Sequence, residues 1–97
     1  MRAKYLRMLE GMKDAGEACW SVYVVRCADE TLYTGIAKDV SARLEKHNTG
    51  KGAAYTRSRR PVALLYREDG FTRSAALMRE AEIKSWPRQR KERLAIR

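Results

Sequence analysis

Histidine occurs once in this 97-residue chain, at His47, and cysteine twice, at Cys19 and Cys27. One imidazole and two thiols cannot build a four-ligand Cys/His cage, so a structural zinc module is excluded. The same scarcity leaves no disulfide framework and fits a reduced, cytoplasmic chain whose thiols serve as small apolar fillers. No apolar run approaches the ~18 residues that a membrane span needs, and no signal-peptide pattern is recognisable. Membrane and secreted readings therefore fall away. Internal repeats, heptad arrays and low-complexity linkers are missing too. Acidic residues are the scarcer charge: 12 Asp+Glu face 21 Lys+Arg, a formal net charge of +9. With 44% hydrophobic and 34% charged residues, the composition is that of one small globular domain with a single compact core.

The cationic excess is local. Residues 48–61 hold four Lys+Arg and no acid, and residues 88–97 hold five against one, whereas 19–47 and 62–87 are each balanced. Two basic stretches separated by neutral sequence are the footprint of a phosphate-backbone binder. For 51–60, which lies between structured segments, nucleic acid is favoured as the partner. For the C-terminal stretch, a solubilising tail is an equal alternative.

Three segments follow: an N-terminal extension over 1–18, a domain over 19–87, and a basic tail over 88–97. In the extension, Tyr5, Leu6, Leu9 and Met12 recur at helical spacing, weakened by Gly11 and Gly16. Residues 20–26 are rich in aromatic and β-branched side chains and predict a strand. Ala28-Asp29-Glu30 turns the chain into a second strand over 31–35. Asp39 is an N-cap for a helix over 40–49, with Val40 and Leu44 as its apolar pair and Gly50 as its stop. Residues 51–60 predict a loop. A third strand covers 62–67, Asp69-Gly70 a turn, and Thr72 caps a helix over 73–86 that Pro87 ends. On that helix Leu77, Ala81 and Lys84 share a face, flanked by Met78 and Ile83. The order β-β-α-β-α implies an α+β fold with helices on a small three-stranded antiparallel sheet.

Five side chains stand out by position. Tyr23 lies mid-strand and Tyr33 in the second strand. Arg43 and His47, four apart, stack on one helix face, and Glu80 sits mid-helix. Taken singly, each reads as a packing or solvated residue. Gly50-Lys51-Gly52 is not a phosphate loop, because the eight-residue spacing and the Ser/Thr after Lys are missing.

As an ordered set they resemble the GIY-YIG nuclease superfamily: Val22-Tyr23-Val24, then Tyr33-Thr34-Gly35, then Arg43, His47 and Glu80. The chain is most similar to small standalone bacterial members, which are akin to the N-terminal nuclease domain of the excinuclease C subunit. The run from His47 to Pro61 looks like a hallmark of that standalone group. The first motif departs from the pattern, since it lacks the glycine that names the family. An asparagine that larger relatives carry downstream has no counterpart here, Asn48 being the sole asparagine.

The resemblance implies hydrolysis of a phosphodiester. Glu80 matches the family's single carboxylate metal ligand. One carboxylate with waters suits Mg²⁺, with Mn²⁺ as a substitute. Arg43 matches the arginine that would hold the scissile phosphate, and Tyr33 the proposed general base. His47 stands where relatives carry His or Tyr to relay protons or hold water, and Tyr23 would support the site through its hydroxyl. Lys51, Tyr55, Arg57, Arg59 and Arg60 would hold the nucleic-acid backbone, with Tyr55 stacking on a base or anchoring the loop. DNA is favoured over RNA, and repair or recombination is the implied setting. Low intrinsic sequence specificity is expected, with a second copy or a protein partner as a source of selectivity. The alternatives are a nuclease fold that binds DNA or RNA without cutting, and a protein-interaction domain docking through Tyr5, Leu6 and Leu9.

Overall fold

The computed structural model describes residues 18–96. The expected N-terminal helix, with its Tyr5, Leu6 and Leu9 face, lies outside the described residues. The elements run β1 (Trp20–Arg26), β2 (Leu32–Ala37), α1 (Val40–Asn48), α2 (Ala54–Arg57), β3 (Ala63–Phe71), α3 (Arg73–Lys84) and α4 (Arg88–Arg93), closed by a 3₁₀ turn over Leu94–Ile96. The sheet is antiparallel with order β2-β1-β3. The architecture is the expected α+β one.

β1 is central, which explains its continuous apolar run: each face of the sheet is covered, so alternate residues feed two cores. Tyr23, Val25, Cys27, Val40 and Val62 form one cluster, with Tyr33 and Leu44 packed on it. Val22, Val24, Ala76, Ile83 and Leu94 form the other, joined by Trp20, Trp86 and Phe71. The β1–β2 turn is held by Asp29, whose carboxylate accepts from the Thr31 amide at 3.1 Å and hydroxyl at 2.6 Å. Both N-caps form as expected: Asp39 accepts from the Ala42 amide at 3.0 Å and Thr72 from the Ala75 amide at 3.2 Å.

Four local expectations are corrected. Asp69-Gly70 is no turn, because β3 continues through it. The register steps from Val22↔Glu68 to Trp20↔Phe71, so β3 carries an extra residue there, and Gly70 at φ +87° takes the left-handed conformation this bulge requires. Ser21 then donates to Asp69 at 2.6 Å and fixes the bulge. The basic C-terminal segment is not a free tail. It forms α4, stacks Arg90 on Trp86 at 4.0 Å and buries Leu94 in the second core. The 51–60 segment contains the single-turn α2. Finally, α3 buries Ala76 and Ile83 and leaves Leu77 and Met78 exposed. That choice of face matters for the site, since Glu80 falls between Ala76 and Ile83 on the sheet-facing side.

Candidate active site

Tyr23 projects from the middle of β1 over Gly35, its cross-strand partner on β2. The approach is so close that a Cβ on Gly35 would lie 2.5 Å from the phenolic oxygen, which explains the glycine of the second motif. From above, α1 brings His47 down, fully buried, and its Nε2 lies 2.8 Å from the Tyr23 hydroxyl. The other ring nitrogen, Nδ1, lies 2.7 Å from the hydroxyl of Thr56 in α2. Gly52 makes room for the ring, since a Cβ there would run into the His47 backbone and Nδ1.

These contacts assign the tautomer. A hydroxyl has one proton, and Thr56 gives its own to the Ala53 carbonyl at 3.0 Å. Thr56 must therefore accept from His47, which makes Nδ1–H the donor. In the neutral ring Nε2 is then an acceptor, and Tyr23 donates to it. Electrostatics agree. Burial, with the Arg43 charge adding to it, holds the His47 pKa below the ordinary histidine value. Burial pushes the Tyr23 phenol above its usual range, and Arg43, within hydrogen-bonding reach of the same oxygen, only partly offsets this. Tyr23 and His47 thus form a neutral, hydrogen-bonded pair.

The other three residues frame this pair. Tyr33 sets its ring edge-on to His47, centroids 5.4 Å apart, and stacks on Tyr55 at 5.8 Å. Among the described residues its hydroxyl has no hydrogen-bond partner, so it is open to an incoming group. Arg43 lies one helical turn before His47. Glu80 is partly buried and close enough for its charge to act on Tyr23, and Lys84 reaches it at 3.4 Å while sitting 5.8 Å from the Tyr33 ring centroid. The fold therefore gathers Tyr23, Tyr33, Arg43, His47 and Glu80 from four elements. Among the described residues no three His, Cys, Asp or Glu side chains are grouped as a metal cage. A cation here would be held by Glu80 and water, a donor set that fits Mg²⁺.

The loop residues divide. Arg59 pairs with Asp29 at 3.0 Å, lies 4.0 Å over the Tyr55 ring and donates to the Tyr55 carbonyl at 2.7 Å. Arg60 donates to the Arg57 carbonyl at 2.8 Å and to that of Asn48 at 3.4 Å. Both brace the loop, and the Tyr55 ring is engaged by Tyr33 and by Arg59. Lys51 and Arg57 are exposed and among the described residues form no ion pair. Sequence reasoning missed Thr56, Asn48 and Lys84. Asn48 clamps Val62 twice, donating to its carbonyl at 3.0 Å and accepting from its amide at 2.7 Å. The signal for Lys84 was its i,i+4 relation to Glu80. Thr56 lay in a single-turn helix that leaves no periodicity to detect.

Residues 19–93 match the model of the GIY-YIG catalytic domain. A UPF0213 protein of Staphylococcus aureus strain Mu3 is 62% identical over 73 residues, 75% of this chain and 89% of that protein. The solution NMR structure of the UPF0213 protein BH0048 from Bacillus halodurans is similar at a TM-score of 0.50 and 39% identity, covering 79% of this chain and 82% of that one. That of the protein EF2693 from E. faecalis is similar at 0.52 and 41%, covering 75% and 78%. With the tyrosine pair, arginine, histidine and glutamate gathered at one site of such a fold, the chain belongs to the GIY-YIG catalytic domain family.

Proposed function

We propose that the protein hydrolyses phosphodiester bonds of DNA in a divalent-cation-dependent reaction, as an endonuclease or nickase of low intrinsic sequence preference acting in repair or recombination. The observation that carries this reading is the convergence of Glu80, Arg43 and the open Tyr33 hydroxyl around the Tyr23–His47 pair. A bound Mg²⁺ would supply charge neutralisation at the phosphoryl oxygens and at the leaving oxygen. Arg43 presents a planar fork to the scissile phosphate, where it opposes the charge that grows in the transition state. Tyr33 would take the proton of the attacking water as a phenolate, its own proton having first gone to solvent with a bound cation opposing the charge left behind. Tyr23 sets its phenolic oxygen 2.8 Å from His47 Nε2 and near the Arg43 guanidinium. His47, protonated only at Nδ1, can accept a proton from Tyr23 at Nε2 and return it.

Incubation of supercoiled plasmid with Mg²⁺ or Mn²⁺, with an EDTA control, tests the proposal. Nicking that EDTA abolishes is expected, with a drop of roughly 100-fold or more in Glu80→Gln and Arg43→Ala and in Tyr33→Phe. Equal nicking by wild type and Glu80→Gln would overturn the catalytic reading. One observation favours a second reading. The Lys84 ammonium sits on Glu80, and if it stays there in solution the surface grips phosphate without recruiting a cation. Salt-sensitive DNA binding without any nicking is the outcome that selects this alternative.

A further inference from the structure

The first tryptophan of the chain opens a second surface next to the site. Trp20, at the start of β1, is partly exposed and floors a groove of about 370 Å³ whose walls include Lys38, Arg43 and Lys46. Lys38 places its ammonium 5.6 Å from the Trp20 ring centroid, and Arg73, from the first turn of α3, its guanidinium carbon at 5.7 Å. Lys38, Lys46 and Arg73 are exposed, and among the described residues none of them forms an ion pair. Asp39 is the one acid lining the groove, and its carboxylate is engaged at the α1 N-terminus with the Ala42 amide. Arg43 belongs to both places: it lines the groove and reaches the Tyr23 hydroxyl.

We infer that this groove seats one nucleotide of the bound strand, next to the phosphate held by Arg43, with its base on Trp20 and its phosphates on Lys38, Lys46 and Arg73. The inference rests on the proposed nucleic-acid function and extends it to a strand-binding subsite. The chemistry selects this occupant. An indole face ringed by cations offers a stacking platform and a phosphate track together, which single-stranded nucleic acid fits and an acidic peptide uses only in part. Arg43 lines the same groove as Trp20, so a strand whose phosphate reaches that arginine lies beside the indole. The segment contributing most of these residues is electrically neutral in sequence, but Asp29 and Glu30 pair with Arg59 and Arg26, and Asp39 caps α1.

The test uses the full chain in EDTA, so that binding is read without cleavage. The chain has two tryptophans, and Trp86→Phe leaves Trp20 as the only reporter. Titration with oligothymidylate should quench Trp20 emission saturably and reversibly with salt. In parallel, anisotropy of a fluorescein-labelled oligothymidylate is read with chains that keep both tryptophans: wild type, Lys38→Ala, Lys46→Ala and the double variant. Each removed cation should weaken binding and lower the slope of log K against log salt by about 0.7. The exposed variant Arg67→Ala, from a balanced segment where the arginine pairs with Asp69, should leave the slope unchanged. Unchanged Trp20 emission at saturation, or an unaltered slope in the double variant, overturns the assignment. Failure of plasmid nicking with these binding effects intact would reject the hydrolytic reading and leave the subsite standing. An oligouridylate arm decides whether the groove distinguishes DNA from RNA.

Discussion

At the scale of single residues, the imidazole of His47 is bonded on both sides by hydroxyls and on neither by a carboxylate. A carboxylate would raise its basicity, whereas two hydroxyls and burial keep it neutral. The tautomer is then set by Thr56 alone. Thr56→Val, which keeps the shape and removes the acceptor, should shift His47 toward the Nε2–H form and cost activity, while Thr56→Ser should preserve both. Nitrogen chemical shifts of the chain's only imidazole read this directly, and an unchanged Nδ1–H form in Thr56→Val would reject the assignment. A pH consequence has a definite sign. Because the folded-state pKa of His47 lies below the unfolded value, the unfolded chain binds the proton more readily as pH falls. Stability is therefore full above about pH 6.5 and declines below it toward the folded-state pKa. Urea midpoints at pH 7.5 and 5.5 should show this loss, and His47→Gln should flatten it. Tyr23, Tyr33, Arg43, His47 and Glu80 were legible in the sequence as an ordered set of types. Their bonding was not: nothing in the order of residues states that Tyr23 donates to His47, or that Arg59 and Tyr55 hold each other before any ligand arrives.

At the scale of elements, strand β1 and helix α1 were readable because their signals are periodic or capped. Asp39, Val40 and Leu44 defined α1, and the aromatic and β-branched run defined β1. Asp69-Gly70 misled because glycine serves both tight turns and bulges, and only the partner strand decides between them. The same dependence on partners makes Gly35 and Asn48 critical. Gly35→Ala would force the Tyr23 ring off its strand and should destabilise the fold by roughly 1–3 kcal/mol through overpacking, measured by urea unfolding. Asn48→Ala breaks the double clamp on Val62, a partly exposed contact, and should cost about 1 kcal/mol. The loop it anchors would then loosen first, which hydrogen exchange at the Val62 amide should report as faster exchange than in wild type.

For the whole molecule, the question is how a net charge of +9 is used. Segment counting directs attention to 48–61 and 88–97. The fold commits Arg59 and Arg60 to bracing the loop and lays Arg90 on Trp86, while Lys38, Lys46 and Arg73, from balanced segments, converge on Trp20. A linear tally cannot see such convergence, because it counts acids that caps and ion pairs have already used. DNA affinity should accordingly be steeply salt-dependent, with a slope of about −3.6 for four phosphates engaged on duplex. Equilibrium binding between 50 and 200 mM salt measures it, and a slope near zero would remove nucleic acid as the partner.

Tyr23 and Val24 are consecutive residues of the central strand, one under His47 and the other in the opposite core. A slip of β1 by one position would exchange their sides and drive a phenol into the aliphatic layer while drawing a valine out of it. Misalignment of the reacting groups is thereby tied to exposure of the core. A population that is folded but catalytically misassembled should be vanishingly small, and mutations in the β1–β2 turn, which also carries the Asp29–Arg59 pair, should diminish activity and stability together.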